Sequence, residues 1–153
     1  MKILIGRDYT TEVIPLIDNA KTNIDILMFQ WGYYAHEGGG MIQRLNYAIK
    51  SAIIRGVTAR VLLHLGGPAD KLRHINSDVA NHLRSWGAQV KFCSSSGVLH
   101  AKVLMIDKTI AVVGSHNFSK RSMGGNVEVS VLVEGGGDIR PLLEYFDMLW
   151  RQS

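Results

Sequence analysis

The feature that most narrows the fold is an alternation of two apolar periods through the first ninety residues. Residues 2–5, 23–30, 57–64 and 89–93 are short runs led by aliphatic side chains, and they read as strands. Between them the period lengthens to three and four. Val13, Leu16, Ile17 and Ala20 share one helical face, with Thr11 placed as cap and Pro15 in the first turn, where a missing N–H costs little. Met41, Leu45, Ala48, Ile49, Ala52 and Ile53 form a second stripe that Gly56 can end. A third helix opens at Asn76 or Ser77, turns Val79, Leu83 and Trp86 inward, and stops at Gly87. Strand–helix–strand order of this kind feeds parallel pairing, with helices laid over both faces of the sheet.

Beyond residue 99 the pattern changes. Residues 100–106 and 109–113 are β-rich runs on either side of Asp107 and Lys108, the spacing of a tight hairpin, and 127–133 reads as a further strand. A last helix carries Ile139, Leu142, Leu143, Phe146 and Leu149 on one face, with Asp138 as its cap. The hairpin makes the sheet mixed. The expected architecture is one α/β domain over residues 1–153: a mixed, mostly parallel sheet flanked by helices on both faces, an α/β/α sandwich. Gly38, Gly39 and Gly40 precede a helix but lack the spacing of a dinucleotide-binding turn, and read as flexibility in the loop 31–40.

Composition sets outer limits. A chain of 153 residues, 46% hydrophobic and 20% charged, can bury a core without staples. Its single cysteine, Cys93, excludes an intrachain disulfide and a Cys-rich zinc site. The apolar start is too short for a signal peptide and no run approaches 18 apolar residues, so the expectation is a cytoplasmic protein without integral membrane association. A net charge of +4 favours a polyanionic partner, but the basic excess is spread too thinly to select one.

The chemistry is concentrated between residues 100 and 128. There His100-x-Lys102-x4-Asp107 is followed by Gly114-Ser115-x-Asn117 and then by Asn126-x-Glu128. Residues two apart on a strand share a face, so His100 projects with Lys102, Ser115 with Asn117, and Asn126 with Glu128. If the three pieces are neighbours in the sheet, one end of it gathers an imidazole, an ammonium, a hydroxyl, an amide and a carboxylate. That set suits phosphoryl transfer. An imidazole can attack phosphorus. Lys102, Ser115 and Asn117 can stabilise the equatorial oxygens, and Glu128 can fix the histidine tautomer and support the imidazolium. Asp107 sits at an odd offset beside the turn and reads as a structural hydrogen-bonding residue. No His/Asp/Glu grouping has metal-site spacing, so neither metal nor cofactor is expected, and the lysine supplies the positive charge.

These spaced motifs resemble the HKD signature of the phospholipase D superfamily, and the strand–helix order of the whole chain fits the sandwich that the resemblance implies. It implies further that His100 forms a phosphohistidine intermediate, that Lys102 and Asn117 bind the phosphate, and that Ser115 and Glu128 orient and polarise the site, with Glu128 on the imidazole. In-line displacement needs a second group opposite the nucleophile. The chain has one motif, so the resemblance to short single-motif nucleases points to a homodimer whose shared active site takes its second histidine from the partner copy.

The other histidines read more simply. His116 alternates to the opposite face from Ser115 and Asn117, and His64 ends a strand. Three loops are candidate substrate contacts: Tyr33, Tyr34 and His36 for stacking on bases, Lys71 with Arg73, and Lys120 with Arg121, for a nucleic-acid backbone. The leading expectation is a metal-independent nuclease of low sequence specificity acting on DNA or RNA. The alternatives are a phospholipid hydrolase or transferase of the same superfamily, and a nucleic-acid-binding module without turnover.

Overall fold

The structure, a computed structural model, describes residues 1–36, 40–94, 97–134 and 138–153. Gly38 and Gly39, and with them the reading of that loop as flexible, lie outside the described residues. The elements in chain order are β1 (Lys2–Ile5), α1 (Asp8–Asp18), β2 (Asn23–Met28), α2 (Met41–Ile54), β3 (Thr58–Leu63), α3 (Lys71–Trp86), β4 (Gln89–Phe92), β5 (Lys102–Ile106), β6 (Ile110–Gly114), α4 (Lys120–Gly124), β7 (Val129–Val133) and α5 (Arg140–Gln152).

The seven strands form one sheet in the order β1-β7-β6-β5-β2-β3-β4. It is mixed, as expected, but the parallel ladders are confined to β2-β3 and β3-β4, and the other four pairings are antiparallel. The reason lies in the connections. Helices α2 and α3 return the chain to the same end of the sheet, whereas the Asp107-Lys108 hairpin and the β7 return reverse it. Asp107 and Lys108 both hold positive φ, 52° and 56°, and Thr109 N donates to Ile106 O at 3.1 Å, a tight turn between the paired Ile106 and Ile110.

Alternation along β2 explains why both of its faces are buried. Ile24, Ile26 and Met28 join the core under α1, α2 and α3, packed with Val13, Ile17, Leu45, Ile49, Val79 and Leu83. Leu27 points the other way, into a second core with Leu62, Val103, Met105 and the α5 residues Phe146 and Leu149. Each such fully buried aliphatic side chain contributes about 1.5–3 kcal/mol. On the α5 face the buried carboxylate of Asp25 receives two bonds from Arg60, at 2.7 and 2.8 Å, and Arg60 reaches Asp147 of α5 at 2.9 Å. A paired charge thus fastens the helix to the sheet.

The starts of α1 and α3 differ from expectation, and at α5 Ile139 rather than Asp138 takes the cap position, with Asp138 Oδ1 accepting from Arg140 N at 3.0 Å. Helix α1 begins at Asp8, two residues after the positive-φ Gly6 and with Arg7 at the cap position, so Thr11 is interior and Pro15 lies past the first turn. Helix α3 begins at Lys71, with the Asp70 side chain accepting from Leu72 N at 2.9 Å. Asn76 is therefore no cap: it is buried, its amide donates to Phe29 O (2.8 Å) and His64 O (2.6 Å), and its Oδ1 accepts from Trp31 N (3.0 Å). It ties the ends of β2 and β3 together. The short helix α4 was not evident from periodicity. Among the described residues no helix is long and apolar enough to cross a membrane.

Candidate functional site

The antiparallel ladders decide which strand ends meet. Met28 pairs with Lys102 and Gly114 with Ser130, so the end of β2, the start of β5, the end of β6 and the start of β7 share one end of the sheet. There His100, Lys102, Gly114, Ser115 and Asn117 line a cleft of about 360 Å³. Gly114 permits the close approach of β6 to β7: a Cβ at that position would overlap Ser130 and stand 2.5 Å from Val129 O.

Each side chain is held by a nameable contact. His100 is exposed, two residues before the start of β5, and its ring meets the edge of Phe29 with centroids 4.8 Å apart. The Phe29 ring also stacks on His64 at 5.3 Å and lies under Lys102 Nζ at 4.9 Å. Lys102 is buried, and its Nζ donates to His100 O at 2.6 Å. Burial pulls the ammonium below the ordinary lysine range, against the opposing pull of the Glu128 charge. An ammonium carries three donors and one is spent on His100 O, which leaves donors for an anion in the cleft. Asn117 Oδ1 accepts from Gln30 N at 3.2 Å, so its NH₂ is the end left for a ligand.

Glu128 has partners other than the expected imidazole. Its buried carboxylate accepts from Ser115 Oγ on one oxygen and from Ser122 Oγ (2.6 Å) and Asn126 Nδ2 (3.1 Å) on the other. None of these partners is His100, whose ring packs toward Phe29 instead. Burial would raise the carboxyl, but the hydrogen bonds from Ser115, Ser122 and Asn126, with the nearby His116, outweigh it and hold the group below the usual carboxylate range. Ser115 Oγ also accepts from Val129 N at 3.1 Å. Its one proton is engaged by Glu128, so Lys102 and Asn117 are the donors that face the cleft.

Asp107 lies at the far end of β5. Its carboxylate accepts from Lys21 N, from Thr22 N and Oγ1, and from Asn23 N, at 2.7–3.1 Å, and so clamps the start of β2 to the hairpin. His116 is buried between Ser130 Oγ (2.7 Å) and Gly6 O (2.9 Å).

The outer candidates separate. Tyr34, Lys120 and Arg121 line a second cleft of about 500 Å³ that shares Asn117 with the first, and Lys120 Nζ sits over the Tyr34 ring at 5.0 Å. Tyr33 stacks on His82 at 3.8 Å and borders another cleft with His36 and Asp78. Lys71 and Arg73 open α3 and line neither of the first two clefts; Arg73 Nη1 donates to Gly66 O at 3.3 Å. Sequence reasoning missed Phe29, Gln30 and Ser122. Only Ser122 left a signal, since Ser119-x-x-Ser122 has helix-cap spacing and Ser119 does cap α4. Among the described residues no group of three His, Cys, Asp or Glu side chains could hold a metal ion.

Comparison with known proteins places this geometry. The family model described as "Cardiolipin synthase, PLD-like domain" matches residues 13–150. The mitochondrial cardiolipin hydrolase of Homo sapiens is 26% identical over 147 residues, 96% of this chain and 53% of that protein. The chain thus spans about half the length of the curated relatives it matches. Among solved structures, Nuc of Salmonella typhimurium, a phospholipase D family member, superposes with a TM-score of 0.80 at 21% identity, covering 99% of this chain and 95% of that one. NucT of Helicobacter pylori gives 0.75 at 18% identity, covering 98% and 94%.

Proposed function

We propose, since the chain belongs to the phospholipase D superfamily of PLD-like domains, that it is a phosphodiesterase working through His100, and that its substrate is a nucleic acid. The observation that carries the reading is the single cleft in which His100 stands beside the buried ammonium of Lys102 and the anchored amide of Asn117.

In the proposed cycle the His100 imidazole attacks phosphorus and forms an N–P bond while the bond to the leaving oxygen breaks. That oxygen takes a proton from a group on the far side of phosphorus. Water then adds along the same line, gives its proton to that group, and the N–P bond breaks to restore His100. Lys102 and the Asn117 amide hold the non-bridging oxygens throughout. Glu128 stays ionised, orients the Ser115 hydroxyl, and balances the charge of Lys102. Among the described residues His100 is the only imidazole lining the cleft. The second group is therefore assigned to His100 of a partner copy in a two-fold dimer with a shared site.

Nucleic acid is favoured by the adjoining cleft of Tyr34, Lys120 and Arg121, which offers a stacking face and two cations one step from the phosphate position. A phospholipid is the second reading. The cardiolipin hydrolase similarity favours it, as do the exposed side chains of Val98, two residues before His100, and Val127, beside Glu128.

Purified protein in excess EDTA, given labelled single- and double-stranded DNA and RNA and, separately, cardiolipin liposomes, decides between them. The expected result is EDTA-resistant cleavage of oligonucleotides that His100→Ala abolishes. Turnover of liposomes alone would move the assignment to the lipid. Loss of cleavage in EDTA would remove the metal-independent mechanism, and binding without cleavage would leave a binding module.

A further inference from the structure

A hydroxyl outside the three sequence motifs joins two of their members. Ser122 lies in the first turn of α4 and is only 1% exposed. Its Oγ donates to Glu128 Oε1 at 2.6 Å and accepts from Asn117 N at 3.1 Å. Its main-chain N–H is fixed in turn by Ser119 Oγ at 3.3 Å.

A hydroxyl has one proton and two lone pairs. Beside an ionised carboxylate the proton is committed to Glu128, which turns a lone pair toward the Asn117 N–H. The bridge therefore has one polarity for as long as Glu128 is charged. Its two ends lead into the cleft by different routes: from Glu128 through the Ser115 hydroxyl, and from the Asn117 main chain to the amide that Gln30 N anchors. We propose that Ser122 is a positioning residue of the phosphodiesterase site, holding the Glu128 carboxylate and the Asn117 main chain in one fixed relation through a single hydroxyl.

The role rests on the reading under Proposed function. A buried serine that only filled space would need no acceptor or donor. Here its removal leaves Glu128 Oε1 with Asn126 alone and the Asn117 N–H unpaired. The hydrogen bond from Ser122 is among the interactions that keep the Glu128 carboxyl low, so its loss lets burial raise that group.

The test compares wild type, Ser122→Ala, Ser122→Cys and His100→Ala on bis(4-nitrophenyl) phosphate, with the Glu128 carboxyl followed by ¹³C NMR against pH. Cysteine fills nearly the same space with a weak donor, so it separates the hydrogen bond from the cavity. The expected result is a fall in kcat of about 10- to 100-fold for both Ser122 variants with KM near that of wild type. The Glu128 titration should move up in both, because burial then acts with one opposing hydrogen bond fewer. Unchanged kcat in Ser122→Ala, full activity in Ser122→Cys, or an unmoved Glu128 titration would each overturn the proposal while the phosphodiesterase reading stands. A wild type no faster than His100→Ala removes that reading itself, and the role of Ser122 goes with it.

Discussion

Lys102 Nζ donates to the main-chain carbonyl of His100 at 2.6 Å, so the two motif residues are joined through the backbone and not through the imidazole. The bond fixes the ammonium beside the proposed nucleophile without neutralising it. Replacing Lys102 with Met keeps an unbranched apolar side chain and removes the ammonium that lies over the Phe29 ring. The expected loss is on the order of 10²–10³ in kcat, the scale of one transition-state donor. The pH dependence has a definite sign. Activity needs the protonated amine, and burial holds its pKa below that of an ordinary lysine, so kcat/KM should fall on the alkaline side earlier than for an exposed lysine. A profile flat through the ordinary lysine range would contradict this.

Gly114 has no room for a side chain. The added methyl of Gly114→Ala would overlap Ser130 and lie 2.5 Å from Val129 O, which is backbone and cannot swing away. Separating β6 from β7 should cost about 3 kcal/mol. That corresponds to a fall in Tm of roughly 6–12 °C for a domain of this size. Calorimetry checks it, and a variant as stable as wild type would show that the two strands can part freely.

Much of this was legible before any coordinates. Strands could be read where apolar runs were bounded by glycine or polar residues, and the hairpin at Asp107-Lys108 followed from spacing alone. Strand neighbours were harder, because pairing partners leave no local mark. The excess of antiparallel ladders emerges only when β5 inserts beside β2. Asn76 misled because the same amide that suits a helix cap also suits a buried clamp between two carbonyls. In the site, His100, Lys102, Ser115 and Asn117 line one cleft, although of these four only Lys102 lies inside a strand. Strand alternation could not assign Glu128 its partners, since Ser122 arrives from a helix too short to show a period.

Asp107 makes its contacts at the opposite end of β5 from His100, so its replacement should divide stability from chemistry. Burial would raise its carboxyl, but bonds from the Thr22, Lys21 and Asn23 main chain and the Thr22 hydroxyl hold it below the usual carboxylate range. A depressed carboxyl contributes stability that is present above its unfolded pKa and is lost as pH falls through the folded value. Asp107→Asn keeps a residue type tolerant of positive φ. It should cost about 1–3 kcal/mol at neutral pH. The gap to wild type should narrow as the buffer is taken below the ordinary carboxylate range, with kcat little changed. Urea titrations at neutral and acid pH measure it, and a constant gap would contradict the assignment.

The shared-site dimer makes an arithmetic prediction. If one site uses His100 from each of two copies, only dimers that are wild type on both sides cleave an unactivated phosphodiester. Random pairing of equal amounts of wild type and His100→Ala chains gives about one quarter such dimers. Activity per total protein should then fall to about a quarter of the wild-type value and follow the square of the wild-type fraction. A site complete within one chain would follow that fraction linearly and leave about half. Co-expression with separable tags provides the mixtures, and the purified mixed dimer supplies the decisive measurement. With an oligonucleotide substrate, whose leaving oxygen needs protonation, the mixed dimer should be nearly inactive. A mixed dimer with half the activity of wild type, or an active species of monomer mass, would return the second group to this chain. His64, stacked on Phe29, would then be the first residue to replace.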